Sequence, residues 1–250
     1  PYTATNGAFR VSSDISTAFS NQHLDHLLKT WSLFSGTFAR TPGTYTEMYY
    51  TRDLTTLYPR ALQFCPTIAI PGGRNVTACY DFANQVYVWF VVPYTEPDFG
   101  TQLHEISHTF LYLTQLDSAN WPWFNEGIAM YWESGSFTPS GTYAVASPLG
   151  YLTTSFRQWA NAGGLLPLTP LTAFDRNQFY SADATQVYGQ SGMFLYYLFK
   201  QHPLVMQGLI DGINSGAIAS NAAVLAFITQ QTGLTLSALE SAYTQYALQF

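Results

Sequence analysis

Charged residues are scarce in this chain: they make up 10% of its 250 residues, and the formal net charge is -6. The nine Lys and Arg residues are scattered singly, so no basic stripe is present that would neutralise a phosphate backbone. Long apolar runs are missing as well, since none, Val86–Val92 included, exceeds seven residues, whereas a bilayer span needs about 20. We therefore expect neither a nucleic-acid partner nor a membrane anchor.

Cysteine is also rare, with two residues in the chain. Cys65 and Cys79 lie symmetrically about Gly72, in a segment whose pattern is typical of two strands joined by a turn. A disulfide between them would close this hairpin, and two free thiols are the alternative. Asn75, near the predicted turn, begins an Asn-Val-Thr sequon and is a candidate glycosylation site.

Apolar and aromatic residues are abundant, at 47% and 17% of the chain. The chain can therefore bury a large core, and we expect it to fold alone as a monomer. Low charge with many uncharged polar residues is more typical of a secreted protein than of a cytosolic one. The sequence starts at Pro1 without an initiator Met, which favours a processed mature form and an extracellular location.

The strongest chemical signal is the motif His104-Glu105-Ile106-Ser107-His108. On a helix, residues four apart share one face and lie about 6 Å from each other, so two imidazoles can bind one small metal ion. The apolar periodicity of Thr101–Gln115 predicts such a helix. Glu105 is displaced around the helix from His104, so its carboxylate is expected to act as a base on the attacking water and not as a ligand.

A third ligand is required, because catalytic zinc sites usually have three protein ligands and one open position. The metzincin pattern is excluded, since Leu111 and Thr114 occupy the positions at which it needs Gly and His. A carboxylate on a second helix is the other common solution.

Glu126 is the preferred third ligand. It belongs to the motif Trp123-Phe124-Asn125-Glu126-Gly127 and lies 18 residues after His108, a spacing that permits an antiparallel return. Pro122 suits the first turn of this second helix. Glu133, two turns further along the same face, is the rival ligand.

The two motifs resemble those of the gluzincins, the zinc metallopeptidases related to thermolysin and to the aminopeptidase/leukotriene hydrolase group. This resemblance implies that His104, His108 and Glu126 bind one zinc ion per chain and that Glu105 is the general base. It also implies a second catalytic residue, because Val187–Leu198 is similar to the helix that carries a transition-state tyrosine in the aminopeptidase-like branch. Tyr188 is the matching position.

The resemblance extends beyond the zinc motif to the ends of the chain. Leu234–Glu240, which closes a run of predicted helices, and Phe9–Asp14, which precedes the first one, are similar to segments of the small peptidase MA-like gluzincins.

We expect an α+β fold in a single compact catalytic unit. Residues 1–133 are predicted to form a half with a mixed sheet, the histidine helix and the glutamate helix, and residues 134–250 a mostly α-helical half, with the active-site cleft between them. The predicted strands are Glu47–Thr51, Phe64–Ile70, Val76–Phe82 and Val86–Val92. Besides the two motif helices, helices are predicted at Ser16–Phe34, Tyr151–Ala160, Thr185–Gln201, Pro203–Ile213, Ala219–Gln231 and Ser237–Leu248, and a surface loop at Ser134–Pro148.

The sequence thus predicts a secreted zinc metallopeptidase acting on a protein or peptide substrate. The aminopeptidase branch that the chain resembles carries a Gly-x-Met-Glu-Asn-type segment upstream of the zinc motif, which helps to bind the free amino terminus of the substrate. No such segment precedes the motif here, so cleavage within chains is favoured over cleavage at amino termini. An aminopeptidase in which Glu47 or Glu96 binds the amine is one alternative. A non-catalytic binding module on the same scaffold is the other.

Two further sets of residues carry weaker expectations. Asp117, Asp175 and Asp183 are available to orient the two zinc histidines, without an assignment. His23 and His26 have i, i+3 spacing without a third ligand nearby, and we expect them on a solvated helix face.

Overall fold

In a computed structural model, the structure describes residues 2–6, 9–13, 15–41, 46–51, 78–81, 86–90, 99–114, 116 and 121–250. Cys65 and Asn75 lie outside the described residues, so the predicted disulfide with Cys79 and the glycosylation site stay predictions. The predicted strand Phe64–Ile70 lies outside them as well.

A five-stranded mixed sheet forms the N-terminal part of the fold, with strand order β1-β2-β3-β5-β4. Parallel pairing joins β2 to β3 and β3 to β5, whereas β1 is antiparallel to β2 and β4 to β5. The strands are β1 (Tyr2–Thr5), β2 (Phe9–Ser13), β3 (Thr46–Thr51), β4 (Ala78–Asp81) and β5 (Val86–Phe90). The predictions of β3, β4 and β5 are confirmed, whereas β1 and β2 were not predicted.

Helices pack on the sheet and form most of the remaining described residues. The first, α1 (Thr17–Phe38), begins where the Ser16 side chain accepts a hydrogen bond from the Phe19 amide, and it packs on β1 and β2. The two motif helices follow as α2 (Phe99–Leu113) and α3 (Pro122–Glu133).

The C-terminal part is almost entirely helical. It contains α4 (Gly150–Asn161), α5 (Leu168–Ala173), α6 (Arg176–Ser181), α7 (Ala184–Gln201), α8 (Pro203–Asn214), α9 (Asn221–Thr232) and α10 (Leu236–Ala247). The buried helix α7 packs against both α3 and α4, so it joins the zinc-motif region to the helical part. The expected loop after α3 carries a short hairpin, β6 (Ser136–Phe137) and β7 (Tyr143–Ala144).

The α+β fold class is confirmed by this arrangement. The division into residues 1–133 and 134–250 stays a prediction. Within the described part of the chain, no single helix combines the length and apolarity of a membrane span, although α9 and α10, bent by 78° at their break, meet that criterion together.

The expectation of a solvated face for His23 and His26 is wrong. Both side chains lie under the start of α2, with exposed fractions of 0% and 7%. The His26 ring stacks on the Phe99 ring at 4.3 Å between centroids, and the His23 ring lies 5.2 Å from the same Phe99 ring. Burial, reinforced by the charge of a neighbouring His26, lowers the pKa of His23 to about 3, and burial lowers that of His26 to about 4.

This pair should make the fold sensitive to acid. Between pH 6.5 and the lowered folded-state pKa values, the unfolded chain binds more protons at these positions than the folded chain, so stability rises with pH. Lowering the pH through this window should therefore decrease the free energy of unfolding by up to about 1.4 kcal/mol per pH unit for each histidine. Urea unfolding of the metal-free protein at a series of pH values measures this slope.

The double variant His23→Leu, His26→Leu is the comparison. All other titrating groups are shared with the wild type, so the difference between the two slopes isolates the pair. An equal slope in both proteins would show that the two imidazoles become protonated without unfolding.

Candidate metal centre

His104 and His108 lie on one face of α2, as their spacing predicts. Their rings are 4.8 Å apart between centroids and nearly perpendicular, and their side chains are 12% and 17% exposed. The opposite face of α2 contributes apolar side chains such as Leu103 and Phe110 to the core. The amphipathic pattern of the helix therefore directs the two imidazoles away from the core and towards α3.

Glu126 is presented by α3, which begins with Pro122 and packs against both α2 and α7. The next residue, Gly127, allows the close contact with α7. A Cβ atom there would lie 2.8 Å from the Ser191 carbonyl oxygen and 2.9 Å from Leu195 Cγ. The glycine of the Asn-Glu-Gly motif thus sets the depth at which the Glu126 carboxylate meets the imidazoles.

Three ligand-type atoms converge between the two helices. The Oε2 atom of Glu126 lies 3.6 Å from His104 Nε2 and 3.5 Å from His108 Nε2. All three atoms lie within 4.8 Å of one another. The Glu126 residue itself is only 4% exposed, so its carboxylate is almost removed from water.

The other ring nitrogens bind different partners. His104 Nδ1 lies 2.8 Å from Glu133 Oε2, and His108 Nδ1 lies 2.9 Å from Asn125 Oδ1. Both partners accept hydrogen bonds, so each Nδ1 carries a hydrogen, and in the neutral form of each ring Nε2 has a free lone pair. Glu133 therefore contacts the side of His104 that faces away from Glu126, in the position of an outer partner and not of a co-ligand.

This donor set fits a zinc ion. Two ligand atoms bound about 2.0–2.1 Å from a tetrahedral zinc ion lie roughly 3.3–3.4 Å apart, close to the distances from Glu126 Oε2 to the two Nε2 atoms. A charge-assisted hydrogen bond would be shorter, at about 2.7–2.9 Å. With both imidazoles neutral, three lone-pair-bearing atoms are directed at one point, and their repulsion is relieved when a cation lies between them or when the imidazoles are protonated.

The electrostatics of the cluster agree with this geometry. Burial opposes the charged form of both imidazoles, but Glu126, together with Glu133 at His104, outweighs it, so the pKa of His104 is well above its usual range and the pKa of His108 is raised. Burial also opposes ionisation of Glu126, yet the two histidines hold the pKa of its carboxyl below the usual range. The cluster therefore favours positive charge next to an ionised carboxylate.

Glu105 lies beside this cluster without belonging to it. It is partly exposed, and its side chain is not among the three that converge. Its negative charge nonetheless contributes to raising the pKa of both histidines and of Tyr188. Glu105 is thus close to both the histidines and Tyr188, as a base on the attacking water would need to be.

Two tyrosines approach the opposite side of Glu126. Burial, followed by the charge of Glu126 and a hydrogen bond to its carboxylate, raises the pKa of the Tyr188 hydroxyl, so this group remains a hydrogen-bond donor. Tyr180, on α6, donates a hydrogen bond of 2.6 Å to Glu126 Oε1. The two tyrosine rings lie 6.5 Å apart between centroids. Glu126 can therefore direct Oε2 to a metal while Tyr180 holds Oε1.

The structure brings His104, His108, Glu105, Glu126 and Tyr188 into one region. Asp175 and Asp183, which the sequence left unassigned, accept hydrogen bonds from the first turns of α6 and α7. Asp117 lies outside the described residues. In the structure, Glu133 and Asn125 orient His104 and His108. Tyr180, which the sequence did not single out, orients Glu126.

No family model matches the chain, and no curated protein sequence matches it significantly. The similarity to gluzincins therefore depends on the motif residues and stays a prediction.

Proposed function

We propose that the protein is a secreted zinc-dependent metallopeptidase that cleaves peptide bonds within protein or peptide substrates, with one zinc ion per chain. The observation that carries the proposal is the convergence of His104 Nε2, His108 Nε2 and Glu126 Oε2 on one point, with Glu105 beside them. The extracellular location is supported by the low charge content, and a monomeric state by the large core of a single chain.

The chemistry follows from which groups surround this point. A zinc ion bound by two imidazoles and one carboxylate would lower the pKa of a water molecule towards neutrality and polarise a substrate carbonyl. Glu105 takes the proton from the attacking water and returns it to the leaving amine. This role needs a carboxylate that is close to the metal ligands but is not itself a ligand. The phenol of Tyr188 donates a hydrogen bond to the oxyanion that develops on the scissile carbonyl.

Tyr180 has a different role from Tyr188 in this proposal. Its hydroxyl donates the 2.6 Å hydrogen bond to Glu126 Oε1, so it keeps the ligand carboxylate in a single orientation. Glu133 and Asn125 do the same for the two imidazoles through Nδ1. Each of the three candidate ligand side chains is thus oriented by a partner that lies outside the zinc-binding point.

Replacing each tyrosine by phenylalanine should separate the two roles. Tyr188→Phe should retain zinc and lower kcat by roughly 10²- to 10³-fold, the effect of losing one oxyanion donor. Tyr180→Phe should instead weaken zinc binding by about 10- to 100-fold, the usual effect of losing an outer partner, with a smaller change in kcat at saturating zinc. Zinc affinity and steady-state kinetics of both variants measure this.

Tyr2→Phe, which alters an exposed tyrosine of β1, is the control and should leave both quantities unchanged. If Tyr180→Phe lost turnover at saturating zinc while Tyr188→Phe kept it, the oxyanion donor would be Tyr180.

The experiment that tests the proposal combines metal analysis with hydrolysis. Elemental analysis should find one zinc per chain, and the protein should cleave internally quenched peptides faster than amino-acid anilides. Chelation should abolish cleavage and added zinc should restore it. Preferred cleavage of the anilides would identify an aminopeptidase, and zinc without any hydrolysis, or no zinc at all, would identify a binding module and overturn the proposal.

A further inference from the structure

A side-chain-sized pocket lies between the first turns of α4 and α7. Its volume is about 290 Å³. Tyr151 and Tyr188 line it, together with Leu152, Ser155 and Gly189. The two helices approach each other closely at Gly189, because a Cβ atom there would lie 3.3 Å from Ser155 Cβ. We call this space the α4/α7 pocket.

The pocket is connected to the candidate metal centre by side-chain contacts. The Tyr151 hydroxyl donates to Glu133 Oε2 at 3.3 Å, and the same oxygen lies 2.8 Å from His104 Nδ1. One carboxylate and one imidazole therefore separate the pocket wall from the zinc-binding point. The second tyrosine of the wall, Tyr188, is the proposed oxyanion donor.

The lining favours an uncharged occupant. No Asp, Glu, Lys or Arg is among the lining residues that the structure describes. The Thr185 hydroxyl, which also lines the pocket, is already engaged, since it accepts from Trp159 Nε1 at 3.0 Å and donates to Asp183 Oδ1. Burying a charged side chain in such a pocket would be unfavourable without a paired group.

The volume limits the size of the occupant. A cavity of about 150 Å³ holds one benzene ring, whereas pockets for whole drug-sized ligands measure about 300–1,000 Å³. At about 290 Å³, the α4/α7 pocket therefore suits one aromatic or branched aliphatic side chain. The rest of such a ligand would extend towards the metal centre.

We infer that the α4/α7 pocket binds an apolar, preferably aromatic, side chain of a residue that flanks the scissile bond. This inference rests on the proposed peptidase function and adds to it a substrate class. The carrying observations are the size of the pocket, its uncharged lining and the contact from Tyr151 through Glu133 to His104.

Peptide hydrolysis by zinc-loaded protein tests the inference. Internally quenched peptides would differ only in one residue beside the cleaved bond, which is Ala, Leu, Phe, Lys or Glu. Wild type should cleave the Phe and Leu peptides with kcat/KM at least about 10-fold above the Lys and Glu peptides, a factor typical of an apolar pocket.

Narrowing the pocket should change this preference. Ser155→Leu and, as an independent second variant, Ala184→Leu each add an apolar side chain to the lining. Each should lower kcat/KM for the Phe peptide by about 10-fold or more and leave the Ala peptide within about threefold. Thr154→Leu, one position away on the exposed face of α4, is the matched control and should keep the wild-type preference. The inference would be overturned if the wild type showed the same kcat/KM whatever the flanking residue, or if the variants lowered kcat/KM equally for all five peptides.

A binding measurement on metal-free protein separates this inference from the proposed function. N-acetyl-phenylalanine amide should shift the NMR signals of the Tyr151 and Tyr188 rings, N-acetyl-glutamate should not, and Ser155→Leu should remove the shift. Binding without hydrolysis of any peptide would overturn the peptidase proposal. Hydrolysis without dependence on the flanking side chain would overturn the pocket assignment alone.

Discussion

Glu105→Gln should bind zinc as tightly as the wild type and lose nearly all peptide hydrolysis. Glutamine keeps the size of the side chain but cannot take a proton from water, and removal of a general base typically lowers the rate by about 10²- to 10⁴-fold. Zinc should stay bound because the three converging atoms belong to His104, His108 and Glu126. Zinc content and kcat/KM measured on the same preparation check both expectations.

A matched control for this variant is Asp25→Asn, which neutralises an exposed carboxylate on α1 that pairs with Lys29. It should preserve zinc content and turnover, so a loss specific to Glu105→Gln would identify proton transfer and not a general charge effect. Turnover near the wild-type level in Glu105→Gln would remove Glu105 from the mechanism. Loss of zinc would instead show that its carboxylate supports the metal.

The candidate ligands could be predicted from the sequence because helix geometry alone relates them. Four-residue spacing aligns His104 and His108, and Pro122 indicates where the helix of Glu126 begins. The choice between Glu126 and Glu133 needed the structure. Both lie on the same face of α3, and only tertiary packing determines which carboxylate reaches the Nε2 atoms and which reaches Nδ1.

Other parts of the site depend on contacts between elements that are distant in the chain. Tyr180 lies 54 residues after Glu126, on a helix of six residues that is too short for apolar periodicity to predict. The Asp175 and Gln178 side chains form a capping box that signals the start of this helix, but nothing in that pattern selects one tyrosine among 18. The orienting role of Tyr180 could therefore be found only from the structure.

The fold, like the candidate site, could be predicted only in part from the sequence. Strands β3, β4 and β5 were predicted from apolar runs bounded by Gly, Pro and Asn, whereas β1 and β2 are short and largely polar. His23 and His26 have i, i+3 spacing without a third ligand nearby, which favoured a solvated face, but the start of α2 covers them. Burial of this kind depends on how two helices meet, which periodicity within one helix does not report.

Glu126→Ala should have the largest effect on metal binding, because among the described residues it removes the one carboxylate that faces both Nε2 atoms. The loss of zinc affinity should exceed the factor of about 10 to 100 that is typical for an outer partner, and peptide hydrolysis should be lost with the metal. Glu133→Gln should stay within that smaller factor, because its side-chain oxygen still accepts the hydrogen bond from His104 Nδ1. Competition for zinc against a chelator of known affinity ranks the two variants.

The order of the two affinities tests the ligand assignment directly. If Glu133→Gln lost more affinity than Glu126→Ala, the rival carboxylate would be the ligand, and α3 would have to shift along its axis to bring it to the Nε2 side. Such a shift would also move Gly127 from its close contact with Ser191 and break the hydrogen bond from Tyr180 to Glu126. Because packing and hydrogen bonding both hold α3 in its present orientation, we expect the affinity of Glu126→Ala to be the lower of the two.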